Sequence, residues 1–414
     1  MAATRFLQLH TLTSYPSTLL NRDDVGFAKR IPFGGAIRTR ISSQCLKRHW
    51  RTFEGEGSLA ELGEPLAVRS RITFEEKLVK PLVAKHIDPE IVRPVVAAMM
   101  KIVLGESLKA EKKKKEDAEA AEDDAKAELT AETKQVTVLG PKELDYLLQV
   151  ATEICGAAKP GKDLQKEAEK AAKEKLGKEA KKNLEALGKA AKGLDAALFG
   201  RMVTGDVLAR GDAAIHVAHA LTVHEEQSES DYFSAIDELL RASSDEGGQG
   251  SGHINSSELT SGFFYGYVVV DVPLLIANLE GGKAADWEKL DKGLAKKVVG
   301  ALVQLVSTVT PGAKLGSTAP YATPHLVMIE AGNQQPRTLA NAFLEPVDVT
   351  KKNLVRETYQ ALSKYLEEDA AMFPRAVPAR RLSAKGDASQ LLTLSKQDRM
   401  LSVDELAQWA TGNI

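Results

Sequence analysis

One stretch near the amino end combines the residue types that bind anions, and it runs from Arg38 to Arg51 as Arg-Thr-Arg-Ile-Ser-Ser-Gln-Cys-Leu-Lys-Arg-His-Trp-Arg. We predict that it begins as an extended segment and continues as a helix. Ser42 or Ser43 is the expected N-cap, because a serine hydroxyl accepts a hydrogen bond from a backbone N–H of the first turn. A helix N-terminus rimmed with hydroxyls, an amide and guanidinium groups suits phosphate. The alternative is an ordinary amphipathic helix with a solvated basic face, and this stretch alone does not decide between the two.

The helical part of this stretch separates into two faces. Five side chains recur at helical spacing and predict a buried face: Cys45, Leu46, His49, Trp50 and Phe53. The basic side chains fall on the opposite face: Lys47, Arg48 and Arg51.

The whole chain has 414 residues, of which 43% are hydrophobic and 27% charged. This composition is typical of a soluble globular protein with two or three core-forming units. The net charge is only −2, so any affinity for nucleic acid must come from local clustering. Residues 22–51 supply such a cluster, with eight Lys and Arg against Asp23 and Asp24.

The two cysteines, Cys45 and Cys155, lie far apart and form no CxxC motif. This pattern implies no disulfide framework or zinc knuckle and predicts a cytoplasmic location. No apolar run approaches the length of a membrane span, so we expect no membrane partner.

The hydrophobic pattern predicts the order strand, helix, insertion, strand, polar excursion, strand, helix, strand. The expected strands cover residues 5–13, 213–224, 263–272 and 325–330, and the second helix runs from Trp287 to Val309. With the two excursions removed, this is the ferredoxin-like βαββαβ order of an α+β fold, which the RNA-recognition motif also uses. Two further helices are expected, over 351–373 and after the capping box Ser402-Val-Asp-Glu405.

The insertion, from about residue 60 to 195, is rich in Ala, Lys and Glu over Glu111–Glu128 and Lys159–Lys192. Such segments form solvated helices or disorder and are not expected to bury a core of their own. The Lys112–Lys115 run is followed by acidic residues, which favours a solvated run over a nucleic-acid contact. Lys159–Lys192 has eleven Lys against six Asp and Glu, so a weak electrostatic role is better supported there.

Three other patterns contain residue types found in functional sites. His216-x-x-His219 has the look of a metal pair, but on a strand the two side chains point to opposite faces. Asp23-Asp24 could hold a divalent cation for phosphodiester cleavage, although a loop role is favoured because no further carboxylates cluster nearby. The aromatic segment Gly262–Val268 loosely matches a base-stacking strand, but aromatics on a central strand more often form core. The sequence therefore predicts no catalytic residue, metal or cofactor.

A series of motifs runs from near the N-terminus to past residue 340: Leu20-Asn-Arg-Asp-Asp24; Phe33-Gly-Gly35 with Arg38-x-Arg-Ile-Ser-Ser-Gln-x-Leu-Lys-Arg48; Asp195-Ala-Ala-Leu-Phe-Gly-Arg-Met202; Asp212 with Ala218-His-Ala-Leu-Thr-Val-His224; Ser261-Gly-Phe-Phe-Tyr265; Pro311-Gly-Ala-Lys314; and Asn341-Ala-Phe343. Together they resemble the CasC-type backbone subunit of the type I-E CRISPR surveillance complex, Cascade, within the CRISPR-associated RAMP backbone family. The Arg38–Arg48 motif is the most specific of the series.

This resemblance implies a hand-like molecule. Its palm is a modified RNA-recognition-motif fold, with a large helical fingers insertion and a thumb excursion. The implied boundaries are 1–59, 195–224 and 262–345 for the palm, 60–194 for the fingers, 225–261 for the thumb, and 346–414 for a C-terminal helical segment that packs on the palm.

The resemblance also implies a non-catalytic function. Copies of the subunit would polymerise along the CRISPR RNA, and each would hold a short stretch of spacer and present it for pairing with target DNA. The thumb of one copy would fold over the RNA held by its neighbour. The implied partners are the CRISPR RNA, target DNA paired to the guide, further copies of the subunit, and other Cascade subunits of the CasA, CasB, CasD and CasE types.

The residues assigned to RNA binding on this basis are basic, hydroxyl or amide side chains near the amino end and one Gly-Arg-Met turn: Arg22, Lys29, Arg38, Arg40, Ser42, Ser43, Gln44, Lys47, Arg48, Arg51, Arg201 and Met202. The thumb tip is assigned to His253, Ile254 and Asn255. One alternative is a metal-dependent endoribonuclease backbone subunit that uses Asp23 or Asp24. Another is an unrelated α+β protein with a basic patch.

Overall fold

The computed structural model describes residues 4–104, 131–133, 135–161, 163–177, 183–184, 187–188, 190–201, 211–236, 251–374 and 377–414, without the side chains of 233–236 and 251–255. The chain folds as two compact units. The first unit consists of Met1–Ser58, His216–Asp271 and Lys296–Ile414, and the second of Leu59–Ile215 and Val272–Ala295.

The first unit is built on an antiparallel sheet in which the strands do not follow one another in sequence order. Its strands are β1 (Phe6–Thr18), β2 (Arg30–Phe33), β3 (Ala36–Ile41), β6 (Ile215–Val217), β7 (Ala220–Thr222), β8 (Gln227–Ile236), β9 (Ser251–Asp271), β10 (Leu326–Gly332) and β11 (Ala379–Ala384). Its main path has the order β11-β10-β1-β9-β7-β3-β2, while β6 and β8 pair with β9. In the centre, Leu9 of β1 lies opposite Val268 on one side and Ile329 on the other.

The predicted alternation of strands and helices is present in this unit. The order along the chain is β1, helix α1 (Ser43–Thr52), β7, β9, helix α8 (Gly293–Thr308) and β10. The four strands lie in the order β10-β1-β9-β7, and β11 and the β3–β2 hairpin extend the sheet at its two ends. The pattern did not predict either extension, because each consists of one or two short strands.

Both faces of the central strands are covered. On one face, Ile41 and the α1 residue Leu46 pack near Phe264. On the other, Phe263 and Tyr265 share a core with Phe343 and with Leu362 of helix α10 (Leu354–Met372). The interpretation of the aromatic segment as core is therefore confirmed, and no open sheet face is left at these rings for stacking a base.

The polar excursion contains a β8–β9 hairpin. Gln227 pairs with Ser261 and Ala235 with His253, and β9 continues from the hairpin into the central sheet. His253, Ile254 and Asn255 were predicted at the tip, but their backbones lie in the ladder opposite Ala235, Ser234 and Phe233. Residues 237–250, between the two strands, lie outside the described residues.

The C-terminal segment was predicted to be helical, and it also contributes a strand. Helix α10 is followed by β11, by α11 (Ser389–Leu394) and by α12 (Val403–Gly412). β11 pairs with β10, with Met328 opposite Leu382. The predicted capping box is confirmed, since the Ser402 hydroxyl accepts from the Glu405 N–H and the Glu405 carboxylate accepts from the Ser402 N–H.

The second unit is mainly helical. Its elements include β4 (Val68–Ser70), β5 (Thr137–Leu139), a π-helical turn Glu75–Val79, α2 (Lys80–Ala84), α3 (Pro89–Leu104), α4 (Pro141–Ala157), α5 (Leu164–Lys175), α6 (Leu194–Phe199) and α7 (Val272–Glu280). Short 3₁₀ segments cover Leu59–Leu62 and Ala284–Lys289, and in the first unit Ala340–Phe343; a short helix α9 covers Leu315–Thr318.

The Ala-, Lys- and Glu-rich sequence contributes more packing than predicted. Ala168, Ala172 and Leu176 are buried in one core with Met99 of α3 and Leu147 of α4. Small alanines at helical spacing let α5 lie close to its neighbours, and its lysines stay on the outside. The other segment, Glu111–Glu128 with its lysine run, lies outside the described residues.

The two units divide the chain at other positions than the predicted domain boundaries. Residues 195–215 and 272–295 were assigned to the palm, but they belong to the second unit. Contacts between α6 and α7 help to join these two segments within the second unit. The Ala197 carbonyl of α6 accepts a hydrogen bond from Asn278 of α7 at 3.0 Å.

Candidate nucleic-acid interface

The loop between β1 and β2 folds back on itself and joins the start of α1. The Lys29 N–H donates to the Asn21 carbonyl at 2.9 Å, and Arg22 forms an antiparallel bridge with Ala28. The Asn21 side-chain oxygen accepts from the Ser42 N–H at 2.9 Å. Residues 21–30, called the basic loop below, are therefore fixed beside the N-terminus of α1.

Asp23 holds the turn of the basic loop. Its Oδ1 atom accepts hydrogen bonds from the N–H groups of Val25, Gly26 and Phe27 at 2.8–3.0 Å. Burial acts to raise the pKa of this carboxyl group, but the three backbone donors and Arg30 hold it below its usual value. Asp23 thus stabilises the loop, which is the role that the sequence pattern favoured over metal binding.

Arg30 is neutralised within the protein. Its guanidinium group pairs with Glu226, next to β8, and with Glu258 of β9. Glu258 also accepts a hydrogen bond from the Ala28 N–H at 2.7 Å. The two glutamates tie the basic loop to the base of the hairpin, a long-range pairing that sequence spacing does not signal.

Four other cations here are not compensated. Among the described residues, no carboxylate lies within salt-bridge distance of Arg22, Lys29, Arg40 or Arg48. Arg93, by contrast, pairs with Glu75 at 3.1 Å. A local excess of positive charge attracts polyanions.

The pKa shifts of two titratable groups, His219 and Cys45, reflect the charges of these cations. Burial first, and then the charges of Arg40 and Lys29, lower the pKa of His219. Burial raises the pKa of Cys45, and the charges of Arg48 and Lys29 oppose that rise. Lys29 therefore contributes to the potential at both places.

A shallow depression of about 540 Å³ lies at the basic loop, lined by Asp23, Asp24, Ala28, Lys29, Arg30 and Arg40. At its rim, the Arg40 guanidinium donates to His219 Nδ1 at 3.0 Å and to the Arg30 carbonyl at 3.2 Å.

Helix α1 begins as predicted, with Ser42 as its N-cap. The Ser42 hydroxyl accepts from the Cys45 N–H at 3.3 Å and the residue is buried, which assigns its side chain to the helix rather than to a bound strand. Of the predicted buried face, Trp50 is buried and the other four residues are partly exposed. Of the predicted contacts, Gln44 and Arg48 are exposed, whereas Ser43, Lys47 and Arg51 are partly buried. Burial lowers the pKa of Lys47.

Arg38 was predicted to contact RNA, and this was wrong. The residue is 0% exposed, and its guanidinium group donates to the carbonyl oxygens of Phe33, Thr222, Phe343 and Leu344 at 2.9–3.4 Å. The sequence could not show that Arg38 is buried and Arg40 is not, because the two residues lie on the same face of β3. Only the distant segments that pack over Arg38 distinguish the two positions.

Arg201 was also predicted to lie beside RNA, and the structure buries it in the second unit. Its guanidinium group forms a two-pronged ion pair with Glu143, whose Oε1 lies 2.6 Å away, and donates to the Val138 carbonyl at 3.2 Å. Asp195 of the same motif is buried and pairs with Arg69 at 2.9 Å. This motif therefore stabilises the unit, and Met202 lies outside the described residues.

The histidine pair has no ligating geometry. His216 lies on β6 and His219 in the connection to β7, and both are exposed. Across the part of the chain that the structure describes, no group of three or more His, Cys, Asp or Glu side chains is arranged to hold a metal ion. Nor does any helix within those described ranges combine the length and apolar character needed to span a membrane.

Comparison with protein families supplies the identity. The model of the family described as CT1975-like protein matches residues 7–409. The chain belongs to the CT1975-like protein family. No curated protein matches the sequence.

Two solved structures share the fold over nearly the whole chain. A chain of a "CRISPR RNA-guided surveillance complex, pre-nicking" is 24% identical, with 98% of this chain and 99% of that chain covered and a TM-score of 0.72. A chain of a "CRISPR RNA-guided surveillance complex" is 22% identical, with 99% and 100% covered and a TM-score of 0.64.

Proposed function

We propose that this protein is the non-catalytic, CRISPR RNA-binding backbone subunit of a type I-E Cascade complex, the CasC type, and that it acts in the cytoplasm. The shared fold with chains of RNA-guided surveillance complexes supports this assignment. The observation that carries it is the set of uncompensated cations on the basic loop and the adjoining β3 and α1: Arg22, Lys29, Arg40 and Arg48.

The chemistry of this surface fits a contact with the RNA backbone. Lysine and arginine side chains neutralise phosphates whatever the base, and such contacts position a strand without reading its sequence. A subunit that serves many spacers needs this indifference, since base pairing by the guide supplies the specificity in RNA-guided effectors.

We assign the palm to the first unit, the fingers to the second unit and the thumb to the β8–β9 hairpin. Because both faces of the central sheet are covered, the bound strand would run past the basic loop and the start of α1 rather than across the sheet. Successive copies along the spacer would then present the guide for pairing with target DNA, together with the other Cascade subunits.

The competing function is a metal-dependent endoribonuclease that uses Asp23 or Asp24. Asp23 is poorly suited to this role, because its Oδ1 already accepts three backbone N–H groups. Assembled complex incubated with complementary RNA and Mg²⁺ should leave the RNA intact. Site-specific cuts that Asp24→Ala abolishes would support the nuclease instead.

The first experiment is purification of the protein after co-expression with its neighbouring genes and a CRISPR array. We expect RNA of uniform length in an assembly with several copies of this subunit. Recovery of the folded protein without RNA would contradict the proposal and favour an unrelated protein with a basic patch.

A further inference from the structure

Two large apolar side chains project from the basic loop. Val25 is 75% exposed and Phe27 is 50% exposed. Single exposed apolar residues are common on protein surfaces and need no explanation. Two of them within three residues, on a loop that also carries Arg22 and Lys29, are a local feature that the phosphate contacts do not account for.

The backbone at Phe27 is fixed in both directions. Its N–H donates to Asp23 Oδ1 at 2.9 Å, and its carbonyl accepts from the Asp23 N–H at 2.8 Å. Gly26, just before it, has φ = +111°, a conformation that glycine adopts without strain. The next residue, Ala28, is held by Glu258. The ring therefore stands on a preorganised support, which reduces the entropy lost when a ligand packs on it.

The charges around Phe27 indicate what packs on it. Arg22 and Lys29, on the two strands of the loop, have no carboxylate partner within salt-bridge distance among the described residues. A second protein surface would have to supply acidic groups as well as an apolar pocket, whereas a single-stranded nucleic acid carries phosphates and flat apolar bases together. Aromatic rings interleaved with basic residues are the usual surface for single strands.

We infer that Phe27 is a stacking platform for one base of the bound single-stranded RNA, with Arg22 and Lys29 on the adjacent phosphates. The inference rests on the proposed function and adds a contact to its binding surface. Because every base has a flat face, stacking tolerates any sequence, which suits a subunit that serves many spacers.

The test measures the affinity of the full-length protein for a short single-stranded RNA with a 2-aminopurine at each position in turn. Phe27→Ala should weaken binding by about tenfold, the order expected for loss of one stacked base. The slope of log K against log salt should not change, since no phosphate contact is lost. The fluorescence of 2-aminopurine should be quenched by the wild type and not by the variant.

Two further variants separate stacking from general apolar packing. Phe27→Trp should keep the affinity and the quenching, whereas Phe27→Leu, which keeps apolar volume without a ring, should lose both. Val25→Ala should bind within about twofold of the wild type. Unchanged thermal unfolding of Phe27→Leu would show that the loss is not a folding defect.

Three outcomes would overturn the inference. Equal RNA affinity of Phe27→Ala and wild type would remove the stacking role while leaving the proposed function intact, provided Lys29→Ala still weakens binding. A Phe27→Ala variant that changes only self-association would place the ring between copies of the chain. Absence of RNA binding by the wild type would overturn the proposed function and this inference together.

Discussion

The guanidinium group of Arg38 donates a hydrogen bond to the carbonyl oxygen of Phe343 at 2.9 Å, across 305 residues of chain. It also donates to the Thr222 carbonyl at 3.0 Å. One buried side chain thus joins β3, the end of β7 and the 3₁₀ segment Ala340–Phe343 within the first unit. Burial lowers the pKa of Arg38, and these hydrogen bonds satisfy the charged group in place of water.

Replacement of Arg38 should therefore reduce stability. Arg38→Lys retains a charge but cannot reach four carbonyls, so buried acceptors lose their partners, at about 1–3 kcal/mol each. We expect the free energy of unfolding in urea to fall by at least about 2 kcal/mol. Arg40→Lys, on the same face of β3, is the matched control and should change it by less than about 0.5 kcal/mol. Equal stability of the two variants would contradict the structural role.

The turn between β2 and β3 gives a second matched pair. Gly34 and Gly35 have φ of +63° and +76°, and a Cβ built on Gly34 would lie 1.5 Å from the Leu344 carbonyl oxygen, whereas none of the described atoms lies within 4 Å of one on Gly35. Gly35→Ala should cost only the backbone strain, about 1–2 kcal/mol. Gly34→Ala should lower the free energy of unfolding by clearly more, because the main chain at Leu344 must move to make room for the methyl group. Urea unfolding of both variants checks this, and equal losses would show that the approach to Leu344 is unimportant.

Much of the first unit could be predicted from sequence pattern, and the exceptions have physical causes. The first strand, the Ser42 cap and the Ser402 capping box depend on neighbours in sequence, so local chemistry reveals them. Arg38 looks like a surface cation because the carbonyls that bury it come from distant residues. Arg30 lies in the same basic run, yet only its long-range partners Glu226 and Glu258 show that its charge is neutralised.

Acid should destabilise the protein through a buried group in the first unit. His10 lies 2.8 Å from the Tyr265 hydroxyl and 3.5 Å from Glu330. Burial lowers the pKa of His10 more than Glu330 raises it. Because the unfolded histidine takes up a proton near pH 6.5 and the folded one resists it, stability is lost as the pH falls below that value. The loss is at most about 1.4 kcal/mol per pH unit for one proton.

Glu330 causes a second loss of stability at lower pH. Burial acts to raise its pKa, but His10, Arg380 and Arg337 hold the pKa of Glu330 far below its usual value. The stability from Glu330 is present above about pH 4.3 and is lost below it. Urea unfolding between pH 2 and 8 should show both losses of stability, and His10→Gln should abolish the upper one. An identical pH profile for His10→Gln would contradict the assignment.

Glu258 should hold the basic loop in its folded conformation. Glu258→Ala removes the acceptor for the Ala28 N–H and one partner of Arg30. Loss of these contacts lets the loop open locally, so amide hydrogen exchange across residues 21–30 should be at least about tenfold faster. Glu229→Ala, at an exposed position of β8, should leave it unchanged. Equal exchange in both variants would show that the hairpin does not hold the loop.

The most direct test of the account is the salt dependence of RNA binding by Lys29→Ala and Arg48→Ala, measured with several unrelated spacer sequences. Each variant should bind every spacer more weakly and lower the slope of log K against log salt by about 0.7, the value for one phosphate contact on a single strand. Lys364→Ala, which removes one charge from the exposed face of α10, should match the wild type. An unchanged slope, or a loss limited to certain spacers, would contradict a surface that holds the RNA backbone without reading its bases.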